Sequence, residues 1–228
     1  MCRVSPPFSL RHGHQPLFTL MNSLELFGGS CSFTKVAKRH GYDVFATDRT
    51  AFEHIDHACD IFKLDLDVIP FIPNIIWASP PCTTFSVASI GRHWKGGNKA
   101  YIPKTDAAVN GMNMVKRTMD IIDHYMNINP NMKWIVENPR GILRKLDLIP
   151  SKYINTVWYC QYGDERAKPT DIWTNINWVP RPVCKNGNPD CHHQPAPRGS
   201  HTGTQGQKDP YVRSIVPPDL CKELLNNV

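Results

Sequence analysis

Cys82 and Glu137 are the residues whose setting in this sequence favours chemistry over packing. Cys82 closes Ser79-Pro80-Pro81-Cys82, directly after the apolar run Ile75-Ile76-Trp77-Ala78. That run reads as a buried strand, and two prolines cannot continue a sheet ladder. The strand stops there and presents a cysteine at its carboxyl end, where open α/β sheets bind ligands. Glu137 has the same setting in Glu137-Asn138-Pro139, after the apolar-rich Lys133-Trp134-Ile135-Val136. If the two strands are neighbours, a thiol and a carboxyl share one pocket, a nucleophile beside a proton donor. Most cysteines are small buried hydrophobes. The two prolines and the strand-end position argue against that role for Cys82.

Other elements must hold these strands in place. Residues 23–27 (SLELF) read as a first strand, followed by Gly28-Gly29-Ser30. Phe33, Val36, Ala37 and His40 then fall at helical spacing until Gly41. Residues 44–47 read as a second strand ending at Asp48, and residues 154–159 as a later one. Residues 107–128 predict a helix with Met112, Val115, Met119, Ile122 and Met126 on one face, a core stripe. Strands alternating with helices predict an α/β fold with a largely parallel sheet and helices on both faces. A glycine turn after the first strand lets a ligand approach the backbone at a helix amino terminus. Asp48, one strand later, is placed to accept bonds from ribose hydroxyls. Together they imply an adenosine-containing cofactor, and no P-loop lysine follows to favour a triphosphate.

The chain has 228 residues, a formal net charge of +6 and a pI of about 8.9. That balance suits a polyanionic partner without requiring one. No apolar run is long enough to span a membrane. Residues 1–20 lack an apolar signal core and read as a flexible tail, with Met21 an equally good start. Residues 21–178 are expected to form the catalytic domain. From 179 to 210, prolines, glycines, cysteines and histidines crowd together as a loop-rich recognition or zinc-binding appendage. Residues 211–228 are expected to return as a helix packed on the catalytic domain. Eight irregularly spaced cysteines without a secretory signal favour reduced thiols or a metal site. Cys184, Cys191 and His192 supply three candidate zinc ligands, with Cys160 the candidate fourth and His193 its alternative. Residues 91–104 are glycine-rich, and six basic residues between Arg92 and Arg117 face Asp106 alone. They predict a mobile basic flap that closes on phosphates, carrying Arg92, Lys95 and Lys99. Arg198 opens a polar, glycine-rich stretch suited to contacts in a nucleic-acid groove.

The series LELFGGSCSF, SPPCTTFS, VENPRG and ERAKPT, in that order, resembles the DNA cytosine-5 methyltransferase family, and its small phage-encoded members most. The resemblance covers about residues 23–175, and its specific part is Pro81-Cys82 with Glu137-Asn138. Cys31 stands where the family has a glycine, Pro139 where many members have valine, and Lys168 where a second arginine is usual. The resemblance implies a Rossmann-like sheet that binds S-adenosylmethionine through Phe27, Gly28, Gly29, Asp48, Asp60, Ile61 and Pro80. It implies that Cys82 adds to carbon 6 of a flipped-out DNA cytosine, with Glu137 at ring nitrogen 3 and Arg166 at the ring carbonyl. Lys168 is expected on the nucleic acid. A restriction-modification role and a host-cytoplasm location accompany the phage-type resemblance. Two other readings remain open: the same nucleophile acting on RNA, a nucleotide or with a modified sulfonium donor, or a non-catalytic nucleic-acid-binding protein.

Overall fold

Apolar side chains alternate along the central strands, and this divides the core between two helical layers. The structure is a computed structural model describing residues 20–96, 100–195 and 209–228. Strand β1 (Asn22–Leu26) pairs in parallel with β2 (Asp43–Asp48) and with β4 (Ile75–Ala78). Beyond β2 lies the short β3 (His57–Ala58), and β4 pairs in parallel with β7 (Lys133–Pro139). Direction then reverses. Strand β9 (Pro169–Thr174) is antiparallel to both β7 and β8 (Ile154–Trp158). The sheet has seven strands in the order β3-β2-β1-β4-β7-β9-β8, so the expected α/β class with a largely parallel sheet is the one found.

Residues of even and odd position face opposite ways along a strand. Ile76, Ala78, Trp134 and Val136 pack with Val115, Ile121 and Ile122 of the long helix α3 (Asp106–Ile128). Ile75, Trp77 and Ile135 pack with Phe33 of α1 (Ser32–Arg39) and with Leu220 and Leu224 of α5 (Pro218–Leu225). Phe33 stacks on Trp77 with ring centroids 4.8 Å apart. Each such apolar side chain contributes roughly 1.5–3 kcal/mol by leaving water. Helix α3 starts where Thr105 accepts a bond from Ala108 N–H, and Met112, Met119 and Met126 pack against its core cluster as their spacing predicts.

Residues 1–19 of the expected tail lie outside the described residues. Among the described residues no helix is long and apolar enough to cross a membrane. The expected mobile loop at 91–104 has a built framework. Helix α2 (Ile90–His93) leads into a two-stranded ribbon of β5 (Trp94–Lys95) and β6 (Ile102–Pro103). Trp94 is buried and donates to Thr84 O at 2.6 Å, and His93 bonds Thr105 Oγ1 at 2.7 Å. Residues 97–99 lie outside the described residues.

A candidate active site at the carboxyl edge of the sheet

The parallel register that aligns Ala78 with Val136 brings the loops after β4 and β7 side by side. Two bonds latch them together. Asn138 Nδ2 donates to Pro80 O at 2.7 Å, and Ile142 N–H donates to Phe85 O at 2.8 Å. Gly141 permits the second, since a Cβ there would stand 2.2 Å from Phe85 O. Phe85 and Ser86 in turn donate their N–H groups to Cys82 O, so the cysteine opens a tight turn.

Cys82 is half-buried, and Glu137 is buried. Tyr159, wholly buried, donates its hydroxyl to Glu137 Oε1 at 2.8 Å. Lys168 Nζ lies 3.8 Å from the same oxygen and 4.6 Å from the Tyr159 ring centroid. Burial raises the Cys82 thiol above its ordinary pKa; Lys168 opposes this and the Glu137 charge reinforces it. Burial also raises Tyr159 well above the usual phenol value, with the Glu137 charge adding to the effect. Tyr159 therefore stays a hydroxyl donor. Nothing in the sequence distinguished Tyr159 from an ordinary core aromatic at a strand end.

The basic pair lies otherwise than expected. Arg166 was expected at the reacting ring, but its guanidinium is committed elsewhere. Nε and Nη2 hold Asp164, while Nη1 and Nη2 donate to the carbonyls of Val212, Arg213 and Ile215. It fastens the strap before β9 to the short helix α4 (Pro210–Ser214) and to Ile215 just after it. Lys168 was expected on nucleic acid, but it is buried against Glu137 and also donates to Arg213 O at 3.3 Å. Antiparallel β9 accounts for this, because its first residues arrive at the edge where β7 ends.

The loop after β1 lies at the same edge. Phe27, Gly29 and Cys31 all take positive φ, at 58°, 48° and 51°. Cys31 thus adopts a left-handed conformation that favours glycine, at a steric cost of about 1–2 kcal/mol. Its side chain is buried and donates to His54 O at 3.4 Å. Gly28 N–H donates to Thr47 O at 2.9 Å, and Gly29 N–H to Asp48 Oδ2 at 3.1 Å. The second Asp48 oxygen accepts from Thr50 N–H at 2.8 Å. Ser79 N–H donates to Leu26 O, which sets buried Pro80 beside the β1 end. Asp60 Oδ1 caps its own turn through Phe62 N–H, and Ile61 is buried in the core cluster on the α3 face. Each Asp48 oxygen accepts one N–H and keeps a lone pair for a ribose hydroxyl, so this strand-end carboxylate fits an adenosyl cofactor.

Of the expected nucleic-acid contacts, Arg92 and Lys95 are exposed on α2 and β5. Lys99 and Arg198 lie outside the described residues. Lys104 donates to Gly91 O, and Arg117 to the carbonyls of Ile61 and Leu64, so those two cations brace the fold.

Cys160, Cys184, Cys191 and His193 bring one ligand atom each within 4.8 Å of one another. His192, expected among the ligands, is exposed and bonds Asp164 O through Nε2 at 3.1 Å. The chain turns between the two histidines, so only His193 points inward. Hydrogen bonds from His193 hold the Cys191 thiol below its ordinary pKa, while burial pushes Cys160 above it.

No family model matches the chain. A protein of Frog virus 3 (isolate Goorha) described as a probable DNA (cytosine-5)-methyltransferase is 31% identical to it, over 90% of this chain and 99% of the viral protein. Among solved structures, a triple mutant of Spodoptera frugiperda DNMT2 matches 77% of the chain at 17% identity, with a TM-score of 0.41. The Entamoeba histolytica methyltransferase EhMeth matches 73% at 11% identity, with a TM-score of 0.47. This chain spans 57% of the length of each of those two.

Proposed function

The chain belongs to the DNA (cytosine-5)-methyltransferase family, and from that premise we propose that it methylates carbon 5 of cytosine in DNA through a covalent Cys82 adduct. The observation that carries the reading is the convergence of Glu137, Lys168 and Tyr159 beside the loop that presents Cys82.

Cytosine carbon 5 is too weak a nucleophile to take a methyl group unaided. Addition of the Cys82 thiolate at carbon 6 makes the ring enamine-like. Tyr159 and Lys168 both engage Oε1 of Glu137, so Oε2 is the oxygen that, carrying a proton, donates to ring nitrogen 3 and offsets the negative charge developing there. Lys168, rather than Arg166, supplies the positive charge at the ring and favours the thiolate of Cys82. Arg166 keeps the Lys168 strap in place from behind. Phe27, Gly28, Gly29, Asp48, Asp60, Ile61 and Pro80 hold S-adenosylmethionine, which when bound supplies an electrophilic sulfonium methyl. Loss of the carbon-5 proton and departure of Cys82 then release the methylated base. The pocket lies at the sheet edge, so the base must leave the duplex to reach it. Exposed Arg92 and Lys95, with Lys99 and Arg198, hold phosphates around it. Residues 179–210 serve as a short recognition appendage to a catalytic domain at 21–178, and 211–228 close its back.

Mass spectrometry of DNA from cells expressing the chain tests the reading. The expected result is 5-methylcytosine with the wild type and none with Cys82→Ser. Binding of S-adenosylmethionine with no modified DNA base would overturn the assignment of DNA as substrate.

A further inference from the structure

We propose that Cys160, Cys184, Cys191 and His193 form a tetrahedral zinc site that staples the segment after β9 to the strap carrying Lys168. The four come from separate places. Cys160 sits in the one-turn helix Tyr159–Tyr162, and the others lie on a returning segment without helix or strand. Cys160, Cys184 and His193 are buried and Cys191 is half-buried. Cys184 Sγ and His193 Nδ1 are already 3.7 Å apart. Zinc with its usual bond lengths sets tetrahedral ligand atoms roughly 3.6–3.8 Å apart, so the cluster needs only a small contraction. Three thiolates and an imidazole select zinc over hard cations such as magnesium or calcium.

The surroundings suit a metal. Gln161 Nε2 approaches Cys160 Sγ at 3.8 Å and Cys191 Sγ at 3.7 Å, and Asn188 Nδ2 approaches Cys184 Sγ at 3.8 Å. Such N–H donors offset thiolate charge around a metal. Binding expels the thiol protons to solvent, leaving a ligand set and ion with one net negative charge. Coordination through His193 Nδ1 puts the ring proton on Nε2, where Gly187 N–H now donates at 3.0 Å. That bond opens on binding, and Gly187 lies in an exposed turn where the change is cheap.

Beyond the bonds that Arg181 makes to Glu223, Gln161 O and Tyr162, the segment gains little order from apolar burial. Val179 and Val183 are 86% and 71% exposed, and prolines interrupt any ladder. Metal binding can supply the folding energy that apolar burial does not. Its reach extends to the proposed active site. Gln194 N–H donates to Glu165 O at 3.0 Å, Gln194 bridges Arg166, and His192 bonds Asp164 O at 3.1 Å. Asp164 holds Arg166, and Lys168 follows two residues later beside Glu137.

The existence of the ion is independent of the methyl-transfer reading, and the test reads the ion directly. The full chain is purified without chelators or a metal-affinity tag, and its metal content is measured. One zinc per chain is expected, lost in Cys184→Ser and His193→Ala and kept in His192→Ala. Because the cysteine variant can misfold, cobalt exchange into the wild type provides a second reading, the visible bands of tetrahedral cobalt thiolate. Substoichiometric zinc together with no such bands overturns the site, as does a disulfide among the three cysteines. Loss of zinc in His192→Ala equal to that in His193→Ala overturns the ligand assignment. Chelation should speed hydrogen exchange at residues 164–168; unchanged exchange there overturns the link to the strap.

Discussion

Lys168 Nζ lies 3.8 Å from Glu137 Oε1, with both side chains buried at the end of the sheet that also presents Cys82. A buried cation beside a buried carboxylate is costly unless each has further partners. Here Tyr159 serves the carboxylate and Arg213 O the ammonium. Removing Lys168 strands Glu137 and withdraws the charge that favours the Cys82 thiolate. Lys168→Ala is expected to lower turnover on DNA by about 10²-fold or more, with the rising alkaline limb of its pH profile moved upward. Lys168→Arg should restore part of the rate. An unshifted limb would separate Lys168 from the nucleophile.

Tyr159→Phe removes one hydroxyl and leaves the ring in place. A hydrogen bond to a charged group contributes about 1.5–3 kcal/mol. Turnover should therefore fall roughly ten- to a hundredfold, with cofactor affinity measured by calorimetry unchanged. Equal losses in both would mean that loss of the hydroxyl disturbs the fold of the site rather than the bond to Glu137 alone.

Glu25, buried in β1, accepts from Thr34 N–H at 2.7 Å. Burial raises it from 4.5 to about 7 against the Thr34 bonds and the Lys35 charge. The folded chain therefore keeps a proton that the unfolded chain has released. Its stabilisation is fully present below pH 4.5 and is lost as the pH rises through about 7. The shift corresponds to on the order of 3 kcal/mol. Denaturant midpoints across this range should fall less steeply in Glu25→Gln than in the wild type. Parallel curves would assign the pH dependence to another group.

Gly141→Ala places a Cβ 2.2 Å from Phe85 O, against backbone rather than a flexible side chain. The latch from Ile142 N–H to Phe85 O must open. A cost of about 1–3 kcal/mol is expected, with activity falling further than stability because the Cys82 turn moves. Gly91→Ala, which meets nothing within 4 Å, should change stability by no more than about 0.5 kcal/mol. Similar midpoints for the two variants would show that the loop can relax.

The largely parallel α/β class and the polar ends of the strands before Cys82 and Glu137 were readable because they rest on local signals. Apolar runs stop at prolines, and adjacent strands carry their polar groups at one end. Strand β9 was not readable, because Asp171 and the threonines that flank it break the apolar pattern inside the sheet. Asp171 is tolerated there through Arg144 and Thr156, contacts distant in sequence. Missing the reversal hid which of Arg166 and Lys168 reaches Glu137. The choice between His192 and His193 depended likewise on which way a single turn faces, and neighbours of the same residue type carry no pattern to decide it.

The reversal at β9 also makes the next segment a tie of fixed length. The chain leaves β9 at Thr174, level with Ile135, and Asn175 anchors it there through Trp134 N–H and Met132 O. It regains the opposite edge by Gln194, beside Arg166. Between them Arg181 ties it to Glu223 on α5 at 2.7 Å. One residue more or less along that run has to be taken up in a segment held at both ends and at Arg181. Variation in length between Asn175 and Gln194 is therefore felt at the strap that holds Arg166 and Lys168.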